Sequence, residues 1–197
     1  MTFIKAIVLG AIQGLTEFLP ISSSGHLALA QYFLNVRETP LLFDIMLHVG
    51  TLLAIILVFI RDIVDIILAI FGREPKSDRN SNFKTVKSGR MFLLYIVIGS
   101  IPTMIIAIII EKFVEQAFAN PLIVAIMLIL TGVILWFSGL NGPRHITHHE
   151  INSLKALIIG IAQGISALPG ISRSGATIST ALILGINGEE SARYSLL

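Results

Sequence analysis

The sequence predicts an all-α integral membrane protein. It is built from inverted-topology repeats, each a re-entrant helical hairpin plus transmembrane helices, with the second repeat truncated. Three observations predict this. Of the 197 residues, 54% are hydrophobic and 13% charged, with mean hydropathy +0.86, which is too apolar for a soluble domain of this size. Long uncharged runs recur: Met91–Ile110 and Pro121–Phe137 carry no charge, and Leu47–Ile60 has only His48 as a titratable group. Runs of about 20 apolar residues match the hydrocarbon thickness of a bilayer. The third observation is an internal duplication. AIVLGAIQGLTEFLPISSSGHL begins at Ala6 and ALIIGIAQGISALPGISRSGAT at Ala156, aligned without a gap 150 positions apart.

The first element, Phe3 to Leu19, reads as a short helix. Gly10, Gln13, Gly14 and Glu17 fall at i, i+3, i+4 and i+7 and share one small, polar face. In a membrane such a face packs on a helix or lines a wet cavity. The N-terminus also resembles a signal peptide, but Glu17 and Pro20 interrupt its apolar run and the pattern recurs mid-chain; it is read as mature structure. Pro20 stops the helix near Leu19. Ser22, Ser23, Ser24 and Gly25 supply loop and N-cap chemistry, followed by a second short helix from His26 to about Leu34. A hairpin tip of this kind is tolerated at membrane depth only under a cover of protein or water.

Arg37–Pro40 is a polar break, and Leu41–Ile60 is the first clear span. Arg61, Asp62 and Asp65 then mark Ile63–Phe71 as an interfacial amphipathic turn or two. The basic excess of Gly72–Arg90 makes that loop cytoplasmic. Met91–Ile110 spans outward with a kink expected at Pro102, Glu111–Asn120 reads as an outer loop, and Pro121–Leu140 spans back. Asn141–Ser153 is then inside, and its His145, His148 and His149 read as a solvated loop rather than a metal cluster. Three spans separate the two copies. An odd number sends the second hairpin into the membrane from the opposite face, with a site where the two meet. Leu41 corresponds to Ser191 at the same offset, so the 197-residue sequence ends as the counterpart span begins. The chain is read as one polytopic membrane domain, with repeat 1 over about 1–140 and the start of repeat 2 over about 154–197.

The copies differ where chemistry is concerned. Glu17, Ser23 and His26 of the first face Ala167, Arg173 and Ala176 of the second. Ionisable groups at membrane depth are expensive; they face cavities, pair and serve function. A structural Glu17–Arg173 ion pair is the plainer alternative, but it leaves the serine-rich loops unexplained. Ser22, Ser24, Ser172, Ser174 and Thr177, with the neighbouring glycines, place hydroxyls and amides at two helix N-termini, an anion cradle. Arg173 adds a planar fork suited to phosphate oxygens. Given a phosphate, Arg173 and the loop amides stabilise developing charge. Ser23 is then nucleophile or phosphate contact, and His26 lies near enough for acid–base work. Glu17 suits a divalent cation bridging phosphate oxygens. There is no cysteine, so no disulfide or thiolate metal site exists. The net charge of +2 reflects loop lysines and arginines, not a nucleic-acid partner.

QGLTEFLPISSSGH and PGISRSGAT resemble the two signature motifs of the undecaprenyl-diphosphate phosphatase (bacitracin-resistance) family, and the resemblance covers essentially the whole chain. It implies hydrolysis of undecaprenyl diphosphate to the monophosphate and phosphate, recycling the lipid carrier for peptidoglycan. It also implies a bacterial plasma membrane location, an active site open to the outer face and a requirement for Mg²⁺ or Ca²⁺. By position, Glu17, Ser23 and His26 match the first motif's functional residues, and Ser172, Arg173 and Thr177 the second's. Some members carry a second glutamate where this chain has Gln13, leaving Gln13 as a neutral ligand or hydrogen-bond partner. The family also continues past SARYSLL with further spans. The partners expected are undecaprenyl diphosphate and the lipid bilayer; oligomeric state stays open, a homodimer being one arrangement. The rival function is a transporter or flippase for a phosphorylated lipid, since inverted repeats with broken helices are typical of transporters. A transporter needs a phosphate cradle but no nucleophile and base. A purely structural membrane protein leaves the split Glu/His and Arg pattern unexplained.

Overall fold

A capping residue starts each short helix of the two hairpins. In the computed structural model, which describes residues 2–36, 41–73, 86–141 and 151–197, Thr2 caps α1 (Phe3–Thr16) and Ser22 caps α2 (Ser23–Phe33). Asn152 caps α7 (Ser153–Ile165) and Ser172 caps α8 (Arg173–Ile183). Between the hairpins lie α3 (Leu41–Val58), α4 (Ile60–Ile70), α5 (Val86–Phe118) and α6 (Pro121–Asn141), and α9 (Gly188–Leu196) follows α8. The described residues form nine helices and no strand.

The expected boundaries shift by a turn or less in the first hairpin. Helix α1 stops at Thr16, and residues 17–20 turn ahead of Pro20. Helix α2 starts at Ser23 rather than His26, because the Ser22 hydroxyl already accepts from the Gly25 amide at 3.3 Å. Larger corrections fall elsewhere. The chain breaks at Phe59, so α3 ends at Val58 and the segment expected as an interfacial turn becomes the 11-residue α4. Its Asp62 and Asp65 are buried against the protein; Asp62 pairs with Arg193 of α9. The stretch expected as an outer loop, Glu111–Asn120, is helical to Phe118. Glu111, Lys112 and Glu115 are good helix formers, with Lys112 and Glu115 an opposite-charge i,i+3 pair. Only Ala119 and Asn120 turn before α6, whose Leu122 amide donates to Asn120 Oδ1 at 3.0 Å. Helix α5 continues through Pro102. The break at Arg37–Pro40, most of the basic loop, and His145, His148 and His149 lie outside the described residues.

Two helices, Lys87–Phe118 and Pro121–Gly139, are long and apolar enough to cross a membrane. Their outer faces remain uncovered apolar surface: Ile101, Ile105, Ile108 and Ile109 on α5, Leu122, Ile126, Ile129 and Trp136 on α6. Water would penalise that surface; lipid does not. With its apolar composition, this makes the chain a helical membrane protein.

Packing centres on the second hairpin. Gly160 of α7 meets Gly99 of α5 so closely that a Cβ on Gly160 would overlap the Gly99 carbonyl. Thr103 on α5 donates to the Gly160 carbonyl at 2.8 Å across this crossing. Ala156, Ile159, Ala181, Ile186 and Tyr194 are buried together beside it, and the Tyr194 hydroxyl donates to the Tyr95 carbonyl at 2.7 Å. Helices α2 and α8 both lie against α6. Thr131 of α6 donates to the Gly170 carbonyl (2.8 Å) and accepts from the Ser172 amide (3.1 Å), pinning the second hairpin's turn.

The hairpins touch through equivalent positions. A Cβ on Gly25 would lie 2.9 Å from Gly170 Cα, and one on Gly175 2.8 Å from the Pro20 carbonyl oxygen. Gly25 corresponds to Gly175, and Pro20 to Gly170, at the 150-residue offset. Each hairpin therefore sets its helix-start glycine against the other's turn, and only a residue without a side chain permits that approach.

Candidate active site where the two hairpins meet

Glu17 begins the turn after α1, and its carboxylate is the hub of the site. Oε2 accepts a hydrogen bond from the Ser23 hydroxyl. The same oxygen accepts from Gln13 Nε2 at 2.9 Å, one turn back on α1. Oε1 lies 3.7 Å from Arg173 Nη2, at the start of α8. The acid of the first copy and the guanidinium of the second thus confront each other, as the sequence predicts. The Glu17 side chain is 13% exposed and that of Arg173 is 66% exposed. A pair so open to solvent adds little stability. It is better understood as a charge held at the site than as a lock.

The serine loops match in detail. Ser22 and Ser172 are both buried N-caps, accepting from Gly25 and Gly175 amides at 3.3 and 2.9 Å. Ser24 Oγ lies 3.4 Å from Ser22 Oγ, and Ser174 Oγ 3.3 Å from Ser172 Oγ. Two helix N-termini therefore open beside the Glu17–Arg173 pair, where backbone amides and helix dipoles favour an anion.

These groups line one cavity of about 570 Å³. Glu17, Ser22, Ser23, Ser24, Ser172, Arg173 and Ser174 are on its wall; Gln13, His26 and Thr177 are not. Gln13 lies behind Glu17, 1% exposed, and its Oε1 is buried with no hydrogen-bond partner among the described residues. Thr177 is turned to Ser195 of α9, with the two hydroxyl oxygens 2.6 Å apart. His26 Nδ1 lies 2.8 Å from the Ser22 carbonyl. A carbonyl only accepts, so Nδ1 carries the proton and Nε2 is the basic edge of the ring. Position in sequence put His26 near enough to serve Ser23. The structure instead gives the Ser23 hydroxyl to Glu17. No group of three or more His, Asp or Glu among the described residues clusters as a metal cage.

Other wall residues escaped the sequence reading. Gln163 of α7 and Ser166, its C-cap, line the cavity at positions equivalent to Gln13 and Thr16, so the duplication itself was the signal for them. Ser100 and Thr103 of α5 and Tyr194 and Ser195 of α9 come from outside the repeated stretch; so does His48 of α3, which its place in a span left either to face the site or to pack on a helix, and which lines the cavity. Leu52, Ile55, Ile96, Phe118 and Ile171 give the wall an apolar part. A cavity with hydroxyls, one carboxylate and one guanidinium beside hydrocarbon suits an amphiphile with an anionic head.

Residues 6–197 match the family described as bacitracin resistance protein BacA. A relative from Desulforapulum autotrophicum, named undecaprenyl-diphosphatase, is 42% identical over 201 residues, covering 100% of this chain and 72% of its own. Relatives of the same name from Moorella thermoacetica (40% identical, 100% and 71% covered) and Methanosphaera stadtmanae (42%, 100% and 72%) are similar to it over the same extent.

Proposed function

The chain belongs to the bacitracin resistance protein BacA family, and from that membership and the site's geometry we propose that it is an undecaprenyl-diphosphatase. It hydrolyses undecaprenyl diphosphate to undecaprenyl phosphate and inorganic phosphate. This returns the lipid carrier to peptidoglycan synthesis and confers resistance to bacitracin. The observation that carries the reading is the convergence on Glu17: Ser23 from its own hairpin and Arg173 from the other. The hydrogen bond from Ser23 to a carboxylate favours the enzyme over the transporter, since binding alone needs no serine poised on a base.

Ser23 Oγ attacks the terminal phosphorus as Glu17 takes its proton, and the bond to the bridging oxygen breaks to release undecaprenyl phosphate. Water then attacks the same phosphorus, the bond to Ser23 Oγ breaks, the proton held by Glu17 returns to that oxygen, and inorganic phosphate leaves with the oxygen and protons of the water. Arg173 and the amides at the α2 and α8 N-termini hold the charge that gathers on the phosphoryl oxygens. His26, with Nε2 as its basic edge one turn along α2 from Ser23, assists from behind the cavity wall.

A divalent cation, Mg²⁺ or Ca²⁺, fits the donors present. Glu17 supplies a carboxylate oxygen, and the orphaned Oε1 of Gln13 is a hard oxygen without a partner. One carboxylate with substrate phosphates suffices for such ions. When bound, the ion supplies neutralisation of phosphate charge. Chelation with EDTA is expected to abolish phosphate release and added Mg²⁺ or Ca²⁺ to restore it.

The reciprocal contacts Gly25–Gly170 and Gly175–Pro20 support two hairpins related by a pseudo-two-fold axis. Counting α3 with α5 and α6 as the three spans expected from the sequence, that axis would lie in the membrane plane and the repeats would be inverted. The basic loop on the cytoplasmic side sends α5 outward, and the cavity reaches Phe118 at its far end. That supports a site open to the outer face of the bacterial plasma membrane. The deciding assay is phosphate release from undecaprenyl diphosphate by purified protein. Release by wild type and a loss of about 10²–10³-fold in Arg173→Ala are expected, as for removal of one transition-state charge donor. An Arg173→Ala enzyme as fast as wild type would remove the proposed site.

A further inference from the structure

We propose that His48 is a further substrate-contacting residue, its Nε2 bonding a phosphoryl oxygen of the diphosphate; this rests on the phosphatase reading above. His48 belongs to α3, outside both copies of the repeated stretch, yet it lines the same cavity as Glu17, Ser23 and Arg173. Its Nδ1 lies 2.8 Å from the Asp44 carbonyl, one turn back. That carbonyl only accepts, so the tautomer is set with the proton on Nδ1. Nε2 is left as the ring's free polar atom. It accepts from a protonated phosphoryl oxygen and, once protonated, donates to an ionised one.

The position of the ring is also tied to the reactive hairpin. Asp44 Oδ1 accepts from Gln31 Nε2 at 3.0 Å. Gln31 lies on α2, the helix whose first residue is Ser23. The remaining α3 wall is hydrocarbon: Leu52 and Ile55, at i+4 and i+7 from His48, share its face. A histidine kept for packing is buried among partners. His48 is exposed, and among the described residues its ring bonds only to its own helix backbone. A single imidazole on an otherwise apolar wall, in a cavity that takes two phosphoryl groups, gives the diphosphate a contact from a third element.

The test uses the full chain in detergent, ¹⁵N-labelled at histidine, titrated with methylenediphosphonate, whose P–C–P bridge resists hydrolysis. Undecaprenyl diphosphate kinetics on wild type, His48→Ala and His48→Gln accompany it. Saturation with the diphosphonate should shift the His48 Nε2 resonance and leave Nδ1 in place. His48→Ala should raise KM about tenfold with kcat little changed, the size of one hydrogen bond to a charged group. His48→Gln, which keeps a donor, should recover most of that loss. A His48 resonance unmoved while calorimetry shows the diphosphonate bound, or His48→Ala with wild-type KM, overturns the proposal and leaves the phosphatase reading intact. A wild-type protein that releases no phosphate removes that reading instead; the diphosphonate titration then still decides whether His48 binds the anion.

Discussion

In the first hairpin the chain reverses through Ser22, at φ 68°; in the second it reverses through Gly170, at φ 95°. The equivalent positions behave oppositely. Pro20 stands where Gly170 does, and its ring holds φ near −65°, so the left-handed residue is displaced to Ser22. Ser172, the counterpart of Ser22, relaxes to φ −70°. A non-glycine residue in the left-handed region costs about 1–3 kcal/mol, and here that residue adjoins Ser23. The second hairpin is also the better buried. Gly175, Ala176, Thr177, Ser179 and Ala181 of α8 are buried, against Gly25 and Leu27 of α2. Duplication thus yielded two scaffolds with different duties. One keeps the acid, the hydroxyl and the strain; the other is locked into the core and presents a charge.

If the copies have truly divided the labour, a carboxylate moved between them will not work. Glu17→Ala is expected to cost about 10²–10⁴-fold in kcat, the range for a lost general base. Adding Ala167→Glu, at the equivalent position, should restore nothing, because the residue six positions on is Arg173 and not a serine. Recovery of activity in the double variant would break the comparison.

The glycine contacts sharpen it. Gly25→Ala and Gly175→Ala should each destabilise the protein by about 1–3 kcal/mol, the usual cost of overpacking, read as a lower melting temperature in detergent. Gly175→Ala should cost more. Its Cβ meets the Pro20 carbonyl at 2.8 Å, whereas part of the obstruction at Gly25 is the movable Leu128 side chain. Equal tolerance of both changes would mean the hairpins do not touch at their turns.

The smallest effect separates the two caps by sign. Ser22→Gly relieves the left-handed backbone by about 1–3 kcal/mol, against a few tenths from the cap and glycine's entropy of about 0.5–1 kcal/mol, so melting should rise slightly. Ser172→Gly relieves nothing, loses the cap and adds glycine's entropy of about 0.5–1 kcal/mol, so melting should fall. Matching signs would contradict the assignment of strain to the first copy alone.

Much of this was legible in the sequence because its causes are local. Capping serines, Pro20 and the repeated glycines mark the hairpins without tertiary information. The expense of ionisable groups in lipid pointed Glu17 at Arg173. What stayed hidden depended on contacts made by folding. Glu17 reaches Ser23 only through the turn between them, so proximity in sequence favoured His26 instead. Asp62 meets Arg193 across 131 positions, and no periodicity in α4 announces that partner. Charges at Glu111, Lys112 and Glu115 imitate a loop although the helix continues beneath them. His48 had no motif around it; from its place in a span it could face the site or pack on a helix, and the shared cavity decides for the site.

The central claim is that acid and guanidinium from different copies act on one phosphate. A double-mutant cycle in kcat/KM on undecaprenyl diphosphate, using Glu17→Asp, Arg173→Lys and the pair, tests it most directly. Residues that share a site should couple by about 0.5–3 kcal/mol, whereas independent sites add within about 0.5 kcal/mol. Coupling of at least about 1 kcal/mol is predicted; strict additivity of the two losses would contradict the account.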